Sequence, residues 1–177
     1  VRSGAALDDK AAVIEAVKAS DIKLKGDPDL LKVLLDGEDV TAEIRTLDAA
    51  QAASKVSTIS SVRSRMVELQ RTIGQNSENG CVLEGRDIGS VVFPNADIKF
   101  FLTAKPEARA RRRFEEDKAK GRETSYEMTL AEINERDQRD VSRDDSPLTI
   151  SEDAIVIDTS DLDLTEVFEQ MLAVVKR

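Results

Sequence analysis

Hydrophobic positions along this chain change period several times, and each change marks an element. Val13, Ile14 and Val17 share one face of a helix that Asp8 or Asp9 can cap. From Ser20 the period becomes two. Asp21-Ile22-Lys23-Leu24-Lys25 alternates as a half-exposed strand does, Gly26-Asp27-Pro28 turns the chain, and Leu31-Lys32-Val33-Leu34-Leu35 supplies a second strand. Asp36-Gly37 is a hairpin signal, and Glu38-Asp39-Val40-Thr41 continues toward Ile44 and Arg45. The pattern then turns helical again. Leu47 to Val56 is alanine-rich, and Val62, Met66, Leu69 and Ile73 recur at spacings of four, three and four, with Arg63 at the edge of that stripe.

Short unbroken apolar runs dominate the chain beyond residue 80. Cys81-Val82-Leu83 lies between Gly80 and Gly85, Ile98-Lys99-Phe100-Phe101-Leu102 comes next, and Ala154-Ile155-Val156-Ile157 is the third. Each has the pattern of a buried parallel strand. Between the second and third runs, Pro106 opens a helix that Gly121 breaks, and another helix runs from about Glu127 toward Asp140. Val167, Phe168, Met171, Leu172 and Val175 mark a closing helix. Strands separated by helices predict a parallel α/β sheet, with the antiparallel unit near the N-terminal end as an insertion.

Composition narrows the function. The 177 residues suffice for one ordinary domain with a buried core. A net charge of −9 and a pI near 4.7 disfavour nucleic acid and anionic membrane as partners. No apolar run approaches ~20 residues, so no membrane span is expected. Histidine is absent, which excludes histidine-based acid/base chemistry and most zinc sites. Cys81 is the only cysteine, so no internal disulfide forms and a reducing cytoplasm is the natural setting. Residue 1 is valine rather than methionine, and the natural start is expected upstream of it.

Two constellations carry candidate chemistry. Gly85-Arg86-Asp87-Ile88-Gly89 comes directly after the first apolar run, and ligands of open α/β sheets gather at the carboxyl ends of strands. Arg86 offers a planar fork to a phosphate, and Asp87 an acceptor to an amine or hydroxyl. An internal Arg–Asp pair closing a turn is the other reading of those two residues. In Glu135-Arg136-Asp137-Gln138-Arg139-Asp140-Val141-Ser142-Arg143, helical geometry gathers Arg136, Arg139, Asp140 and Arg143 within about a third of the circumference. Such a stripe is either a solvated face with i,i+4 pairs or a phosphate clamp. Arg109, Arg111, Arg112 and Arg113 admit the same two readings. The residues contain no metal-ligand cluster, no nucleophile–base arrangement and no glycine-rich loop of P-loop form.

Gly37-Glu38-Asp39-Val40, Glu43-Ile44-Arg45-Thr46, Ala53-Ser54-Lys55-Val56-Ser57, Val62-Arg63, Gly85-Arg86-Asp87-Ile88-Gly89-Ser90-Val91-Val92-Phe93-Pro94 and Glu135-Arg136-Asp137-Gln138-Arg139-Asp140 together resemble bacterial cytidylate kinase, in order along essentially the whole chain. The Gly-Arg-Asp-Ile-Gly…Val-Val-Phe-Pro segment is the most specific piece. The resemblance implies the P-loop nucleoside monophosphate kinase fold, a three-layer α/β parallel sheet with an inserted antiparallel β unit and a helical lid. Its parts would be core at 1–19, 73–113 and 141–177, a nucleoside-monophosphate-binding insertion at 20–72, and a lid at 114–140. It implies transfer of phosphate from ATP to CMP or dCMP with Mg²⁺, by a monomer. Ser54, Arg63 and Asp87 match family residues around the cytosine and its phosphate, and Arg86 matches a phosphate-binding arginine. Arg136 and Asp140 match residues near the pentose, while Arg139 and Arg143 match arginines that close over the transferring phosphoryl group. The family also opens with a strand, a Gly-x-x-x-x-Gly-Lys-[Ser/Thr] loop, a helix and a second strand, roughly 35 residues that these 177 do not include. The first two core strands are therefore expected to be missing. The alternative is a non-catalytic CMP-binding or interaction fragment.

Overall fold

Asp36 and Gly37 both take positive φ, 52° and 87°, which is the backbone of a tight hairpin matched to strand twist. That turn organises the first part of a computed structural model that describes residues 2–26, 30–78, 80–142 and 148–176. The chain divides into two compact units, 1–83 and 84–177.

In the first unit, α1 (Lys10–Ala19) starts where the Asp9 side chain accepts from the Ala12 amide at 3.0 Å. Strands β1 (Ile22–Lys25), β2 (Lys32–Leu35) and β3 (Glu38–Asp39) form an antiparallel sheet in that order, with Ile22 opposite Leu35 and Leu35 opposite Glu38. Of the turn expected at Gly26-Asp27-Pro28, Asp27 and Pro28 lie outside the described residues. A 3₁₀ turn at Glu43–Arg45, which no periodicity signalled, leads to α2 (Leu47–Val56) and α3 (Ser60–Gln75). Val13, Ile59 and Val62 form the buried core, and Ile14, Val17, Val56 and Met66 pack on it. The apolar faces expected on α1 and α3 are thus turned toward each other.

In the second unit, β4 (Phe100–Thr103) and β5 (Ile155–Asp158) pair in parallel, Phe100 opposite Ile155. Between them run α4 (Pro106–Ala119) and α5 (Tyr126–Val141), and α6 (Leu164–Val175) closes the chain behind a capping box of Asp163 and Glu166. Helices α4 and α5 lie against each other over buried Ala110, Thr129 and Ile133, the small Ala110 permitting close approach. The molecule is therefore an α/β protein with helices and a parallel sheet.

One expected strand is absent. Residues 81–84 form no ladder, and Val82 is 98% exposed. An apolar run supplies strand propensity, but a strand exists only where a neighbour's backbone groups meet its own. Among the described residues, β4 and β5 pair only with each other. Nor are these two strands fully buried, for Leu102, Ile155 and Val156 are exposed and only Ile157 is buried. A two-stranded ladder leaves each strand an open edge.

Candidate functional site

The glycine-flanked segment after residue 84 folds into a wide turn. Residues Ile88–Val92 are π-helical, with the Asp87 carbonyl accepting from the amides of Val91 (2.8 Å) and Val92 (3.2 Å) and the Ile88 carbonyl from Phe93 (2.7 Å). Buried Val92, 1% exposed, anchors its far end. Close packing explains both glycines. A Cβ on Gly85 would lie 2.9 Å from Ile88 Cγ1, and one on Gly89 would lie 3.3 Å from Lys99 Cδ. Arg86 and Asp87, both half-buried, occupy the start of this turn.

Helix α5 supplies the other half of the site. Arg86 Nε lies 3.3 Å from Asp140 Oδ2, and the Asp140 side chain is only 13% exposed. Arg136 sits in the same field. Partial desolvation and then the positive charge of Arg86 push its guanidinium below the ordinary value, Asp140 opposes this, and Arg113 and Arg139 add to it. No ion pair holds Arg136 among the described residues. Arg139 is exposed, with Nε 3.9 Å from Glu135 Oε1 one turn earlier. Arg86 and Arg136 thus share the field of the half-buried Asp140, with Arg113 and Arg139 adding positive charge at Arg136.

Asp137 turns to α4 while staying in the field of Arg86 and Arg136. Its two oxygens accept from Arg109 Nη1 at 2.9 Å and Nη2 at 2.6 Å, which holds the carboxyl below the usual carboxylate range and raises Arg109. Arg109, Arg112 and Arg113 are paired within the protein, mostly across elements rather than at i,i+4. Arg112 donates to the carbonyls of Thr159 and Leu162, and Arg113 pairs with Glu132 at 3.2 Å. Carboxylates and carbonyls across the α4–α5 and α4–β5 boundaries satisfy these donors, so of the four only Arg113 also contributes to the field at Arg136. Arg111, with Lys105, Arg112 and Ser160, lines a separate cleft of about 530 Å³ just past the carboxyl ends of β4 and β5.

Ser54 and Arg63 belong to the first unit, at the α2–α3 junction. Ser54 is exposed near the end of α2, its carbonyl accepting from Ser57 Oγ at 2.9 Å, and half-buried Arg63 directs Nη1 to the Ser57 carbonyl at 3.5 Å. The structure therefore brings together Arg86, Asp87, Arg136, Arg139 and Asp140 within one unit and places Ser54 and Arg63 in the other. Arg143 lies outside the described residues. Sequence reasoning passed over Lys99, whose signal was a lone charge inside the apolar run at 98–102. Among the described residues, no helix is long and apolar enough to cross a membrane.

Comparison with known proteins gives the family. The chain is 47% identical over 177 residues to the cytidylate kinase of Caldanaerobacter subterraneus subsp. tengcongensis, covering 100% of this chain and 76% of that protein. It is 45% identical over 174 residues to the cytidylate kinase of Flavobacterium johnsoniae (97% and 75% covered), and 42% over 177 residues to that of Bacillus velezensis (100% and 78%). The cytidylate kinase family model matches residues 1–177, and with relatives of this identity aligned over the chain's whole length, the chain belongs to the cytidylate kinase family.

Proposed function

We propose that this protein is a kinase that passes the γ-phosphoryl group of ATP to CMP or dCMP, yielding CDP or dCDP. The observation that carries this reading is the arginine cluster of Arg86 and Arg136 around Asp140, beside the Gly85–Gly89 turn, in a chain whose relatives are named cytidylate kinases. An acceptor phosphate oxygen attacks the γ-phosphorus as ADP leaves, so catalysis is mainly positioning and charge neutralisation. Arg86 takes the acceptor phosphate. Asp87 accepts from the exocyclic amine of cytosine, which uracil replaces with an acceptor. Ser54 and Arg63 contact the cytosine and the phosphate, Arg136 and Asp140 the pentose, and Arg139 and Arg143 the transferring group.

The finer layout is the nucleoside monophosphate kinase plan of the P-loop type. Residues 20–72 form the acceptor-binding insertion, 114–140 the lid, and 1–19, 73–113 and 141–177 belong to the core. Mg²⁺ enters as part of the Mg·ATP substrate, held chiefly by the phosphates of the nucleotide. The protein acts as a monomer in the cytoplasm.

Calorimetric titration of the chain with CMP and with UMP tests the reading. CMP should bind more tightly, and Asp87→Ala should weaken CMP by about 2 kcal/mol, the scale of a lost hydrogen bond to a charged group, while leaving UMP nearly unchanged. Equal loss for both nucleotides, or no preference in the parent, would refute it.

A further inference from the structure

Among the described residues, Lys99 is the most enclosed charge of the second unit, its side chain 6% exposed. A buried ammonium persists only when all three of its donors are matched. Here Nζ meets both oxygens of Asp153, at 2.8 and 2.7 Å, and the carbonyl of Pro94. The aliphatic stem is used as well, since it runs beneath Gly89, where an added Cβ would stand 3.3 Å from Cδ and 3.6 Å from Cγ. Next to it Ser151 Oγ donates to the Gly89 carbonyl at 2.9 Å. The same lysine is tied into the sheet, for its carbonyl accepts from the Ile155 amide at 2.8 Å where β5 begins. One side chain thus joins three parts: the π-helical turn, the bend after it at Pro94, and the loop leading into β5.

Backbone bonds between residues 87 and 93 give the turn its form. We infer that Lys99, braced by Asp153, is a positioning residue that holds the Ile88–Pro94 turn on the sheet and thereby fixes the direction of Asp87 and Arg86 for the acceptor nucleotide. Lys99 touches no substrate. It acts through the backbone, since the carbonyl of Asp87 is the acceptor that starts the turn and Gly89, two residues later, rests on the lysine stem. A turn released from this support lets Asp87 sample several directions, and selection between an amine and a carbonyl on the base is lost before overall binding is.

This inference rests on the nucleotide reading above, and two measurements separate their failures. The first is hydrogen exchange at Val91, Val92 and Phe93 in the parent, in Lys99→Met, which keeps the stem, and in Asp153→Asn, which changes only an exposed partner. Exchange at these three amides should accelerate about tenfold or more in both variants, with the amides of α6 unchanged. The second is calorimetric binding of CMP and UMP. The CMP-over-UMP preference should fall by about tenfold in both variants, one hydrogen bond's worth of selection. Unchanged exchange, or a preference kept while both affinities fall together, overturns the positioning role. A parent that binds neither nucleotide overturns the nucleotide reading alone, and exchange still decides the brace.

Discussion

The Arg109–Asp137 pair joins α4 to α5 one residue from Arg136 and three from Asp140, so its strength bears on both stability and the site. Its two bonds are parallel and short, 2.9 and 2.6 Å, and the side chains are 31% and 29% exposed. Unit charges about 2.6 Å apart at an effective dielectric constant near 20 attract by roughly 6 kcal/mol. Desolvation and solvent screening of a pair about one third exposed reduce that to a net coupling of about 1–2 kcal/mol. Arg109→Met alone leaves a half-buried carboxylate without its partner and should cost about 2 kcal/mol, and Asp137→Leu should cost a similar amount. The double variant should lose less than their sum by the coupling energy. Urea unfolding can be followed through Tyr126, the only tyrosine in a chain without tryptophan, which opens α5. The folded Asp137 carboxyl lies below its ordinary value of 3.8, so the pair's contribution is complete above that pH and is lost as pH falls through the folded value. The coupling measured at pH 7 should therefore shrink in strong acid. Additivity within about 0.3 kcal/mol at pH 7 would show that the pair only decorates the surface between the helices.

Residues 114–140, if they form the lid, should gain hydrogen-exchange protection when CMP and Mg·ATP are added together, and identical protection with and without nucleotides would remove the lid assignment. Asp39 accepts from the Thr41 hydroxyl (2.6 Å) and amide (3.0 Å) with Lys32 at 3.2 Å, which depresses its carboxyl to about 2, so Thr41→Val should move its NMR titration back toward 3.8 and an unmoved titration would show that another group holds it.

What the sequence determined by itself is whatever short-range chemistry decides. The starts of α1 and α4 were legible because Asp9 accepts the amide three residues on and Pro106 stands where a helix can begin without an amide donor, whereas the same cap at Thr46, Ser125 and Asp163 was seen only in the structure. The hairpin at Asp36-Gly37 was legible because only residues tolerant of positive φ suit it. The motif residues Arg86, Asp87, Arg136 and Asp140 were also legible, as residues. Their grouping was not. That Arg86 faces Asp140 while Asp137, on the same helix, faces Arg109 depends on how α5 is rolled against α4 and the turn, which no local pattern encodes. The run at 81–84 shows the converse error. Its apolar residues read as a strand, but ladder bonds need a second chain segment alongside, and only tertiary structure decides whether one is there. Lys99 belongs to the same class, since in the sequence it is one charge in an apolar run, and it acquires a role only when Asp153, fifty-four residues later, closes over its ammonium group.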